Sequence, residues 1–295
     1  MKRNMIIMLF LMLSTSLFAQ ETQELKVPLS KPNEIGTLEV NLVFGSIKVS
    51  GTKTKEVVVL AKSGTTQSRI RENIVVNVGA DGPDSEAEKK QARKAGQSAA
   101  ETSGLKRIPN TNMSLTVTEQ NNNVQISTES INRPLHLEIM VPANFNLKLS
   151  TVNNGNITIS NVNGNLELSN VNGSIVLENV SGTAMANTTN GAVKANILKW
   201  DGKSPMAFST LNGNVDVTLP ANSKFNTKLK SDRGEVYTDF EMTRDATQKP
   251  TGTRSEKGLY RVSTADFITG KVNGGGPEIM IKNMNGNIYL RKASK

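Results

Sequence analysis

The stretch Asn154-Gly155-Asn156-Ile157-Thr158-Ile159-Ser160-Asn161-Val162-Asn163-Gly164-Asn165-Leu166-Glu167-Leu168-Ser169-Asn170-Val171-Asn172-Gly173 carries one pattern twice over. Asn-Gly opens each unit, and β-branched or leucine residues alternate with polar ones behind it. The same step of nine leads on to Ser181-Gly182 and Asn190-Gly191. It then loosens through Gly202, Asn212-Gly213 and Arg233-Gly234, and related turns return at Asn273-Gly274 and Asn285-Gly286. A fixed period of this kind signals a repeat architecture, in which each unit buries its apolar face only against its neighbours.

Within a unit the apolar positions are i, i+2 and i+5: Ile157, Ile159 and Val162; Leu166, Leu168 and Val171; Ile175, Leu177 and Val180. Alternation puts Leu166 and Leu168 on one face of a strand. Val171 is then out of phase, so a straight strand would turn it to water. A bend after Leu168 would bring it inside, with Gly164 and Gly173 expected to supply positive φ at the corners. Asn-Gly is also the strongest short signal for a two-residue hairpin, so an antiparallel meander competes. The out-of-phase valines and the near-identical units favour stacked parallel coils, where Asn falls on Asn and side-chain ladders can form. The expectation is an all-β, single-stranded β-solenoid (β-helix or β-roll type) with about nine residues per half-coil and irregular β caps. Its turns would be Asn154-Gly155, Asn163-Gly164, Asn172-Gly173, Gly182, Asn190-Gly191 and Asn212-Gly213, with the most regular repeats over about 147–219.

Outward from the repeat, the rest of the chain also reads as β. Leu38, Val40 and Leu42 alternate with Glu39 and Asn41, Ile47 and Val49 follow Gly45, and Leu135 to Val141 alternates again. Val57 to Leu60 and Ile74-Val75-Val76 are further strand candidates. Between about 82 and 112 the character changes to a charged segment, Ser85 to Lys94 at its centre, with no large apolar stripe; it reads as a solvated insertion.

The first residues resemble a secretory leader: Lys2 and Arg3, an apolar run from Met5 to Leu13, and a small-residue stretch ending at Ala19. The run is short of the roughly 20 residues a spanning helix needs. The reading is therefore residues 1–19 as signal peptide and 20–295 as one exported domain, in the periplasm, on the outer membrane or at the cell surface. No transmembrane span is expected once the leader is gone. The net charge of +9 includes Lys2 and Arg3. The remaining surplus chiefly favours solubility. Export and only 4% aromatic residues argue against nucleic acid.

Groups that carry chemistry are sparse. The chain has no cysteine, which excludes thiol nucleophiles and disulfides, and one histidine, His136, which alternation places on the surface beside Glu138. Calcium-binding nonapeptide rolls need an aspartate in each unit, and the tight units here offer only Glu167 and Glu178. No phosphate loop, nucleophile elbow or dinucleotide fingerprint occurs; Gly274-Gly275-Gly276 reads as a turn. Asp232, Glu235 and Asp239 are the acids to consider for a glycan-cleaving β-helix, and Trp200, Tyr237, Tyr260 and Tyr289 for sugar stacking. The reading assigns no catalytic residue, no metal site and no cofactor, and identifies no ligand-binding residue.

The units Ser150 to Ile157, Ser160 to Leu166 and Ser209 to Val215, together with Phe44-Gly45-Ser46-Ile47-Lys48-Val49-Ser50-Gly51, resemble the bacterial putative-adhesin family found in exported Bacteroidetes-type proteins. The resemblance runs from about Ile35 to Leu290 and departs at the charged insertion. It implies a repetitive β-solenoid head and a non-enzymatic envelope or cell-surface protein that presents a rigid β surface. Envelope polysaccharide or cell-surface components are the implied partners. The alternative is a glycan-binding or glycan-degrading β-helix.

Overall fold

The computed structural model describes residues 22–63, 115–128, 134–244, 251–254, 260–263 and 267–294. The leader at 1–19, the strand candidate Ile74-Val75-Val76 and the insertion at 82–112 lie outside them. The chain divides into two compact units, one of Met1–Gly64 with Leu115–Lys295 and one of Thr65–Ser114. All described residues belong to the first.

Every regular element among the described residues is a strand. The strands of the repeat pair in parallel, Ile157 with Ile175 and Ile175 with Val193, which excludes the antiparallel meander. Each coil contributes one strand to a first face and one to a second. In the order in which they stack, coil 1 is Asn123–Thr128 with Leu135–Pro142, and coil 2 is Gly36–Phe44 with Ile47–Thr52. Coil 3 is Phe145–Asn153 with Ile157–Ser160. The long strand Ile175–Asn190 passes from one coil to the next. Thus coil 4 is Asn163–Asn172 with 175–180, and coil 5 is 181–190 with Val193–Lys199. Coil 6 is Met206–Asn212 with Val215–Leu219, coil 7 is Glu278–Asn285 with Ile288–Lys292, and coil 8 is Phe225–Ser231 with Val236–Thr238.

Two coils are out of chain order. Coil 2 precedes coil 1 in sequence yet lies between coils 1 and 3, pairing with both. The last coil of the chain, coil 7, slides in parallel between coils 6 and 8. The ends change to antiparallel pairing. Thr22–Pro28 and Glu56–Ser63 extend the second face beyond coil 1, and Leu115–Gln120 extends the first. At the other end Ile268–Val272 and Met242–Arg244 continue the first face beyond coil 8.

The core lies between the two faces. Ile157, Ile159, Val162, Leu166, Leu168, Ile175, Leu177 and Val180 are buried, as the repeat requires. Val171 is not: it is 37% exposed, which corrects its assignment to the core. The two half-coils are unequal. Asn163–Asn172 runs straight for ten residues, so alternation continues past Leu168 and delivers Asn170 to the interior. Ile157–Ser160 is only four residues long, and the chain bends at Asn161, whose φ of 58° turns Val162 inward.

The turn assignments of Asn163-Gly164 and Gly182 are corrected: both lie inside strands, Asn163–Asn172 and Ile175–Asn190, and positive φ falls before them at Asn161 and Asn179. The glycines also need a different explanation. Neither Gly164 nor Gly173 has positive φ. What they provide is room: a Cβ on Gly173 would lie 1.9 Å from the Gly155 carbonyl oxygen, and one on Gly164 2.2 Å from that of Phe145. Gly155, Gly173, Gly191, Gly213 and Gly286 stack in this way, each against the glycine of the coil below.

Candidate functional site: a tyrosine platform on the second face

Outward residues of stacked coils form columns, because a parallel register repeats each position about every 4.8 Å. On the second face Lys194, Asp216, Tyr289 and Tyr237 share one column over coils 5, 6, 7 and 8. The Tyr237 and Tyr289 rings stack with centroids 5.3 Å apart and planes 10° from parallel. The Arg291 guanidinium lies over the Tyr289 ring at 4.8 Å and donates through Nε to Asp216 Oδ1 at 2.9 Å. The hydrogen bond and charge of Asp216 hold the Arg291 pKa above its ordinary value. Asn287 Nδ2 reaches the Tyr289 hydroxyl at 3.1 Å. The result is a run of acid, guanidinium and two rings along the stack.

Tyr237 ends that run. It is 51% exposed, and among the described residues its strand pairs only with coil 7. An aromatic face next to an ordered ion pair suits a ligand with both apolar faces and hydroxyl edges.

Of the four aromatics singled out from the sequence, Tyr237 and Tyr289 come together. Trp200 does not join them: its ring lies 6.3 Å from buried Phe225 and its Nε1 donates to the Ser204 carbonyl. Tyr260 lies in the hairpin Thr251–Arg254/Tyr260–Ser263, and its side chain is outside the described residues. Sequence reasoning missed Asp216 and Arg291. The signal was present, because Asp216, Tyr289 and Tyr237 each lie three residues after the glycine of Asn212-Gly213, Asn285-Gly286 and Arg233-Gly234.

Two of the three candidate acids are engaged locally. Asp232 pairs with Lys230 at 3.3 Å, and Asp239 accepts from the Lys292 backbone at 2.7 Å. Glu235 sits at the turn, where its own backbone N–H donates to Asn287. His136 is half-buried, its Nδ1 2.7 Å from Ser46 Oγ. Among the described residues no three His, Asp or Glu side chains converge as metal ligands would, and no helix is long and apolar enough to cross a membrane.

The expected asparagine ladder runs along one corner: Asn172 donates to Asn153, Asn190 to Asn172, Asn212 to Asn190 and Asn285 to Asn212, at 2.6–3.2 Å. A second ladder was not anticipated. Inside the same corner Thr151, Asn170, Thr188, Thr210, Asn283 and Ser231 each donate to a corner glycine carbonyl of the coil below, at 2.8–2.9 Å.

Among solved structures the chain is similar to a putative cell adhesion protein from Clostridium sporogenes, with 11% identity, 92% of this chain and 100% of that one covered, and a TM-score of 0.43. It is also similar to a putative adhesin from Bacteroides fragilis (11% identity, 93% and 98% covered, TM-score 0.27). A putative lipid binding protein from Parabacteroides distasonis matches at 9% identity, with 93% and 96% covered and a TM-score of 0.22. No curated protein matches the sequence. The Toastrack DUF4097 family model matches residues 1–290, so the chain belongs to the Toastrack family.

Proposed function

We propose that this chain is an exported, non-enzymatic adhesin or scaffold of the cell envelope or surface, a solenoid in which each nine-residue unit forms half a coil. Its tyrosine platform engages glycans. The observation that carries the reading is the Tyr237–Tyr289 stack, anchored by Arg291 and Asp216 and ending in a half-exposed ring. A pyranose has an apolar face that covers an aromatic ring, and its edge hydroxyls suit the charged Arg291–Asp216 pair beside the rings. Tyrosine suits this role because it offers a large contact area with few rotatable bonds. The ladders support the scaffold half of the proposal, since they lock successive coils and keep the rings at a fixed spacing.

Affinity electrophoresis through gels containing envelope and plant polysaccharides tests the binding. Retardation of the wild-type protein in at least one gel, lost on Tyr237→Ala with the thermal melt unchanged, is the expected result. Equal mobility of both proteins in every gel would overturn the glycan reading. Protease treatment of intact producing cells, beside a periplasmic control, tests export to the surface separately.

A further inference from the structure

Asn-Gly is the step at which a peptide most readily cyclises on itself, because glycine carries no side chain to shield its nitrogen. The chain has seven such steps, and six of them are held. Asn172, Asn190, Asn212 and Asn285 engage their side-chain amides in the corner ladder. Asn163 donates through Nδ2 to Asn144 Oδ1 at 2.8 Å, and Asn273 to the Ser223 carbonyl at 2.8 Å. At three ladder steps the nucleophile is held as well: the N–H groups of Gly173, Gly191 and Gly213 each donate at 2.9 Å to the backbone of the next coil.

Asn154 differs, and the register gives the reason. Asn172 to Ile175 and Asn190 to Val193 cross the corner in three steps, as Phe44 to Ile47 does. Asn153 to Ile157 takes four. Asn153 occupies the ladder position, and Asn154 is the extra residue, exposed at a φ of 51°. Among the described residues, neither its side-chain amide nor the Gly155 N–H has a hydrogen-bond partner. The flanks are fixed instead: the Asn153 carbonyl accepts from Gly45, and the Gly155 carbonyl from Asn170. The Asn154 amide and the Gly155 nitrogen can therefore approach each other without breaking a bond, and glycine takes φ of either sign as the peptide turns.

We infer that Asn154 is a self-modification site, converted to aspartate or isoaspartate without an enzyme. The Gly155 nitrogen attacks Asn154 Cγ, the Cγ–Nδ2 bond breaks, and Nδ2 leaves as ammonia with the Gly155 proton. Water then opens the cyclic imide at either carbonyl. Opening at the main-chain carbonyl leaves isoaspartate, and opening at the side-chain carbonyl leaves aspartate. Gly155 is buried, but the attack is intramolecular and the ring opens at the exposed Asn154. At the ladder steps the same closure must first break a side-chain and a backbone hydrogen bond, which slows it. The inference does not rest on the glycan reading, because this corner belongs to coil 3 and the tyrosines to coils 7 and 8.

Hydroxylamine captures the cyclic imide and cuts the chain between Asn and Gly, so fragment masses report each step. The full purified chain, folded in mildly alkaline buffer, should be cut first between residues 154 and 155. That cut should be about tenfold or more faster than those after Asn172, Asn190 and Asn212. In guanidinium chloride, where the ladders are gone, the seven steps should be cut at similar rates. Asn154→Gly, which suits the φ of 51°, should abolish the early cut with the thermal melt unchanged. A folded chain cut first at another Asn-Gly, or left whole while the unfolded chain is cut, would overturn the inference. Equal rates at Asn154 and Asn172 in the folded chain would overturn it too.

Discussion

The Asn170 amide donates through Nδ2 to the Gly155 carbonyl at 2.8 Å, from a position 2% exposed, while its own Oδ1 is buried without a hydrogen-bond partner. Its column neighbours Thr151 and Thr188 use their hydroxyls on Gly45 and Gly173, so neither is free to donate to it. Thr188 and Thr210 perform the same task one and two coils on and leave nothing unsatisfied. Asn170→Thr should therefore keep the corner bond and remove the orphaned acceptor, leaving stability unchanged or raised by up to about 1 kcal/mol. Asn170→Val should cost about 1–3 kcal/mol, because it strands the Gly155 carbonyl. Chemical denaturation of both variants checks the order; a Thr variant less stable than the Val variant would contradict the ladder.

Gly173→Ala should be far worse than its size suggests. The new methyl would meet a backbone oxygen of the coil below, which cannot move without parting the ladder. A loss of more than about 4 kcal/mol is expected, seen as unfolding at ordinary temperature or failure to accumulate. Gly202→Ala is the comparison: its φ is 66° but nothing lies within 4 Å, so only the backbone strain of about 1–2 kcal/mol applies.

Leu166→Asp and Val171→Asp separate the inner and outer members of one repeat. Leu166 is 1% exposed and pairs with Leu147 and Ala184 in the middle of the stack. A carboxylate there has no partner, and the variant should lose the cooperative melt. Val171→Asp should fold with stability within about 0.5 kcal/mol of the parent. Equal damage from the two would restore Val171 to the core.

Glu119 ties the cap to the chain before coil 2. Its carboxylate accepts from the Ser30 hydroxyl at 2.8 and 2.9 Å, from the Ser30 backbone at 3.1 Å and from the Asn122 backbone at 2.9 Å. Those bonds, the Ser30 hydroxyl first, hold its pKa below the ordinary value. A carboxylate lowered in the folded state contributes stability above its unfolded pKa and loses it as pH falls through the folded one. Hydrogen exchange at 30–35 and 115–122 should therefore quicken below the usual carboxylate range. In Glu119→Gln that exchange should already be faster at neutral pH and should respond less to acid.

Much of this molecule was legible in the repeat. Eight of the nine apolar positions read from the tight units are buried, and the parallel stacking and the asparagine ladder follow from the same spacing. The ninth, Val171, failed because the two half-coils bend differently, and a unit read in isolation does not say which face it joins. Tyr237 and Tyr289 were visible as residues but not as a pair, since fifty-odd residues separate them and only the insertion of coil 7 beside coil 8 brings them into register.

The sequence by itself determined what is local: strand alternation, the turns at Asn154-Gly155, Asn172-Gly173, Asn190-Gly191 and Asn212-Gly213 and the absence of thiol chemistry, all set by backbone preferences within a few residues. Only the tertiary structure decided the stacking order, with coil 2 between coils 1 and 3 and coil 7 between coils 6 and 8. Units this alike offer one another nearly equivalent parallel registers, so local propensity cannot choose among them. The choice falls to long-range fit, such as Ser231 against Asn283 and Gly286 in the closing pair of coils, and that fit exists only once the chain has returned on itself.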